Sequence, residues 1–94
     1  MFYKEFSFIL DTFVAFLKIN NIECPVAIKQ FNSSLKNSIR SGVSIPKQEM
    51  GLIERYLFPD AGMGWLNDLQ YNLSTEANKE LEQIIKKLHV AWEK

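Results

Sequence analysis

Apolar residues along the first part of the chain recur at helical spacing, and they crowd more than one face. Between Phe2 and Ile19, Phe6, Ile9, Leu10, Phe13, Phe16 and Leu17 cover most of a helical circumference, leaving Lys4, Ser7, Asp11 and Lys18 as a polar stripe. So wide an apolar surface needs several neighbours. The pattern predicts the central helix of a bundle, ended by the Asn20-Asn-Ile-Glu23 stretch. A second periodic segment places Ile28, Phe31, Leu35 and Ile39 on one side and Lys29, Asn32, Lys36 and Arg40 on the other. Pro25 suits its first turn, where a missing N–H costs nothing, and Ser41-Gly42 supplies the stop near Arg40.

Ser44-Ile-Pro46 repeats the start signal for a shorter third helix carrying Glu49, Met50, Ile53, Tyr56 and Leu57, which Pro59 must terminate and Gly51 weakens slightly. Toward the end of the chain, Ser74 or Thr75 caps a last helix with Glu76 in its first turn. Its apolar stripe is Ala77, Leu81, Ile84, Ile85, Leu88 and Trp92, and Lys86 and Lys87 lie near its end, where positive charge is favoured. Between the third and last helices stands the irregular stretch FPDAGMGWLNDL, Phe58 to Leu69, with two of the four glycines and one of the two tryptophans. A short helix is expected from Trp65 to Leu69 or a little beyond. Gly62 and Gly64 read as left-handed or close-packed positions, and Met63, Leu66 and Leu69 have the spacing to dock that helix. Asn67 or Asp68 is placed to bond the backbone of the turn. The prediction is an all-α single domain over residues 1–94, a bundle of four main helices plus a short helix or turn around 65–72.

Ninety-four residues with 47% apolar and 23% charged side chains fit one soluble domain with a modest core and argue against disorder. The first helix is interrupted by Glu5, Asp11 and Lys18, so it lacks the roughly 18 apolar residues of a bilayer span and does not read as a signal or membrane segment. One cysteine, Cys24, fits a reducing, cytoplasmic setting. The expectation includes no membrane and no cofactor.

Eleven acids balance eleven bases, but unevenly. From Cys24 to Gln48 the charges are Lys29, Lys36, Arg40 and Lys47, whereas Glu49, Glu54, Asp60, Asp68 and Glu76 populate the segment that follows, against Arg55. The basic quarter permits a helix-turn-helix-like nucleic-acid binder using Lys29, Lys36 and Arg40, a thin footprint for a ligand held mainly through phosphates. Direct nucleic-acid binding is therefore the lesser expectation. AGMGW matches neither phosphate-loop pattern, and Asp60 and Asp68 would repel an anion.

Catalysis has little to stand on. Cys24 and His89 are the single members of their types. A helix start just after Cys24 favours a lowered thiol pKa, yet the sequence offers no oxyanion hole. His89 beside the last helix's apolar stripe reads as a boundary residue. One histidine and one thiol give no metal-ligand spacing. The chain reads as a non-enzyme with neither catalytic nor metal residues.

GMGWLNDL resembles the Gly-Met-Gly-Ser-Leu-Asn-Asp-Leu signature of a family of small bacterial proteins, with Trp65 in place of the usual serine. Gly62, Met63, Gly64, Leu66, Asn67, Asp68 and Leu69 are the matching positions. The likeness continues weakly to Trp92 and gives nothing before Phe58. It implies a helical architecture and no catalytic role for these residues, with Gly62, Met63, Gly64, Leu66, Asn67 and Leu69 as a structural turn. Small proteins of this type are similar to immunity proteins, which neutralise a toxin domain delivered by a neighbouring cell, as in contact-dependent growth inhibition. On that reading Glu49, Glu54, Asp60, Asp68 and Glu76, with Tyr56, Trp65 and Tyr71, are the partner-binding set, filling the basic cleft of a nuclease toxin. The competing reading makes the acids a solvated face and Trp65 a core anchor. A helical adaptor or regulatory subunit is the other binding function compatible with the same surface. The aromatic load of the first helix leaves the oligomeric state open, since a phenylalanine not used in the core would serve a dimer.

Overall fold

The computed structural model describes residues 1–58 and 64–93, and of Asn67 only the backbone. Among the described residues there are five α-helices and no strand: α1 (Tyr3–Ile19), α2 (Val26–Ser41), α3 (Lys47–Leu57), α4 (Trp65–Tyr71) and α5 (Thr75–Glu93). This is the all-α bundle expected from the periodicity, with α4 as the short extra helix. No helix among them is long and apolar enough to cross a membrane.

α1 lies between α2 and α5, α3 packs on α2, and α4 packs on α3. All six apolar residues assigned to the core face of α1 are buried, with Phe6, Leu10, Phe13 and Leu17 fully enclosed. Ser7 departs from the polar stripe expected of it and is buried. It precedes Asp11, which bonds to Asn32 and Lys36 of α2, by one turn. The radius of gyration, 12.9 Å, is close to the roughly 12 Å of one compact body of this length.

The helix ends follow local chemistry. Asn21 takes a left-handed φ of 58°, a region asparagine tolerates, and lets Ile22 N–H reach Leu17 O at 2.8 Å and Asn21 N–H reach Lys18 O at 3.1 Å. The side-chain amide of Asn20 also donates to Phe16 O at 2.9 Å. Gly42, at φ 72°, closes α2 in the same region, its N–H on Ser38 O at 2.8 Å. Pro25 and Pro46 stand one position before the helices they introduce, not inside the first turn. Each presents its carbonyl to the first helical amides. Neither start has a side-chain cap, so Ser44 marks the α3 boundary without bonding to it. Ser74 does cap α5, accepting from Ala77 N–H at 3.1 Å. α3 stops at Leu57, and Phe58 adopts the extended conformation (φ −118°, ψ 108°) demanded of a residue preceding proline. Pro59 itself lies outside the described residues.

Two aromatic clusters tie the layers together. In one, Trp92 of α5 meets Phe6 at 5.5 Å, Phe31 at 6.1 Å and Phe58 at 5.5 Å between ring centroids. In the other, Trp65 of α4 stands edge-on to Phe13 of α1 at 6.1 Å and to Tyr56 of α3 at 5.7 Å. Phe58 and Trp65 bracket the glycine segment, so each of its flanks is anchored in a different cluster.

Candidate partner-binding surface

α4 has only two turns, too short to persist alone, and its helical state depends on what it buries. Leu66 and Leu69 face the core, and Trp65 is part-buried in its aromatic contacts. The opposite side carries Asp68 and, one turn on, Tyr71, which is 89% exposed. Gly64 precedes the helix at φ −80°, and an added Cβ would meet nothing within 4 Å. It is neither left-handed nor close-packed, contrary to expectation. Gly62, Met63, Asp60 and the Asn67 side chain lie outside the described residues.

The remaining members of the acidic set do not share one helix face. Glu49 and Glu54 are five residues apart on α3, about 140° around the axis. Glu49 turns toward α2, where its carboxylate accepts from the Ser34 hydroxyl at 2.7 Å. The two line a shallow depression with Lys29, Gln30 and Ser33. Glu54 is exposed on another side of α3, and Glu76 is exposed in the first turn of α5, where negative charge suits the helix dipole. Tyr56 packs against Trp65, and that pair serves as the wedge between α3, α4 and α1. The structure thus brings Tyr56 and Trp65 together in packing and leaves Glu54, Asp68, Tyr71 and Glu76 at the surface.

On the basic side, Lys36 is engaged within the chain. Its ammonium lies 3.0 Å from Asp11, whose same carboxylate oxygen accepts from Asn32 Nδ2 at 2.9 Å. Burial tends to raise the Asp11 pKa, but the hydrogen bonds from Asn32 and Lys36 and the Lys36 charge outweigh it and hold the carboxyl below its ordinary value. Lys29 and Arg40 remain exposed.

Cys24 is buried, with Sγ toward Pro25 O at 3.7 Å. Burial pushes its thiol pKa up, only partly opposed by Lys29, which reverses the lowering expected from the nearby helix start. His89 is exposed, 3.0 Å from Glu93, with its ring 4.9 Å from that of Phe58. Among the described residues no three His, Cys, Asp or Glu side chains gather as metal ligands would. Sequence reasoning overlooked Phe58 and Ile45 as buried anchors. Their signal was only an apolar residue beside a proline. Comparison with protein-family models, with curated proteins and with solved structures finds no match to this chain.

Proposed function

We propose that this chain is an immunity-type protein of the bacterial cytoplasm, a non-enzyme that binds the catalytic domain of a cognate toxin and occludes its basic cleft, with a nuclease as the fitting class. The observation that carries the reading is the outward face of α4, where Tyr71 stands almost fully in solvent one turn from Asp68. Tyrosine is enriched among the residues that dominate binding energy, and a neighbouring carboxylate gives attraction and orientation toward a positive cleft. Glu54 and Glu76 are further exposed acids on α3 and α5, and the Trp65 wedge holds α4 in place.

Engagement of Lys36 by Asp11 weighs against the nucleic-acid reading, since it takes one of three bases from an already thin footprint. The adaptor reading uses the same α4 face and differs in its partner. The test is co-expression with the product of the adjacent upstream gene, read as co-purification and as rescue of growth. Association with rescue, weakened at least tenfold by Tyr71→Ala combined with Glu54→Lys, Asp60→Lys and Asp68→Lys in a folded protein, is the expected result. Neither association nor rescue removes the immunity reading. Association without rescue moves it to the adaptor.

A further inference from the structure

α1 and α5 run side by side in opposite directions, the Phe2 N–H bonding to Ala91 O at 3.1 Å where the start of one meets the end of the other. Between them is an open groove of about 430 Å³ lined by Glu5, Phe8, Ile9, Lys86, Lys87 and Val90. Phe8 is 74% exposed and Val90 52% exposed beside it. The same face runs along α1 from Lys4 and Phe8 through Thr12 and Ala15 to Ile19, itself 79% exposed, the steps from Phe8 being four, three and four residues. That is the spacing of a seam between helices. Among the described residues Glu5, Lys86 and Lys87 form no ion pair within the chain.

We infer that this face binds a second copy of the chain, forming a two-fold dimer across the α1–α5 groove. The argument is charge complementarity at matched heights. In an antiparallel pair fixed by Phe2 beside Ala91, Glu5 lies level with Leu88 and hence with Lys87 and its neighbour Lys86. A two-fold axis along the groove sets α1 of one copy opposite α5 of the other at unchanged height. Each Glu5 then faces Lys86 and Lys87 across the interface, and each Phe8 seats in the opposing groove against Ile9 and Val90. The contact is made twice, as an isologous interface requires.

The size fits such a contact. A 17-residue helix is about 26 Å long, and two helices side by side roughly 20 Å wide give about 500 Å² per copy in projection. Two copies reach the lower bound, about 1,000 Å², expected of a specific interface. Phe13, which Trp65 covers, is about 140° around α1 from Phe8, so the dimer leaves the outward face of α4 free. The inference is independent of the toxin-binding proposal.

Sedimentation equilibrium of the full chain over a concentration series tests it. The mass is expected to rise from 10.9 kDa toward twice that value. Phe8→Glu, at an exposed position that leaves helicity unchanged by circular dichroism, is expected to weaken dimerisation by about tenfold or more. Glu5→Lys weakens it too, and adding Lys86→Glu and Lys87→Glu restores it by exchanging the charges. A chain that stays monomeric at every concentration overturns the inference, as does a dimer indifferent to Phe8→Glu or a charge exchange that fails to restore association.

Discussion

Trp65 decides whether the glycine segment rests on a built corner or carries a loose helix, and Trp65→Ala measures it. The indole makes two edge-on contacts, with Phe13 at 88° and Tyr56 at 71° between ring planes. Such pairs contribute about 0.5–1.5 kcal/mol each beyond area burial. Truncating a fully buried tryptophan costs about 3–5 kcal/mol, and Trp65 is only part-buried, so about 2–3 kcal/mol is expected. For a chain this size that is a large share of a total stability of about 5–14 kcal/mol. Urea denaturation followed by far-UV circular dichroism is the suitable assay, because it does not depend on tryptophan emission. Trp65→Phe, which retains one ring at the wedge, should recover about half of the loss. A Trp65→Ala cost below about 0.5 kcal/mol with α4 amides still protected from exchange would refute the wedge and return Trp65 to the surface.

Gly42 at the end of α2 and Gly51 within α3 should respond oppositely to alanine. Gly51→Ala, mid-helix with open space at the Cβ position, is expected to stabilise by about 0.5–1 kcal/mol, and Gly42→Ala, at φ 72°, to destabilise by about 1 kcal/mol; a shared sign in thermal melts contradicts the backbone argument. Ser74→Ala removes the α5 cap and should cost about 1 kcal/mol, with faster amide exchange confined to the first turn of α5. Asp11 titrates below its ordinary value in the folded state, so its contribution is present above the unfolded pKa of about 3.9 and is lost as pH falls through the lower folded pKa. With the pair half exposed, Asp11→Asn should cost no more than about 0.2–1 kcal/mol at neutral pH. That difference should vanish in acid, and a gap persisting at the acid end of a pH series of urea melts contradicts the assignment.

The helices were legible because their apolar residues repeat over several turns, so an error at one position does not change the pattern. The six core residues of α1 from Phe6 to Leu17 are buried as that spacing requires, as are Leu81, Ile84 and Leu88 in α5, with Ala77, Ile85 and Trp92 part-buried beside them. Single positions were less secure. Ser7 is polar by type but buried, and burial is set by tertiary packing. Gly64 and Gly42 look alike as letters, yet only Gly42 has a positive φ. The surface was legible least of all. Charge along the chain grouped Glu49 with Glu54, but helical rotation sets them about 140° apart and the Ser34 hydroxyl draws Glu49 toward α2. Phe8 was hidden by the opposite effect, since six genuine core residues surround it in sequence and its exposure depends on where the groove opens.

The central position of α1 also bears on how the protein is made. Its two flanking neighbours in the bundle, α2 and α5, lie at very different distances along the chain, and α5 ends 74 residues beyond Ile19. At translation rates of about 5–20 residues per second, the α5-facing side of α1 waits roughly 4–15 s on the ribosome before its cover is synthesised. Nascent chains paused in that interval would present Phe6 and its apolar neighbours to holding chaperones, and codon choice between α2 and α5 would set the length of that exposure.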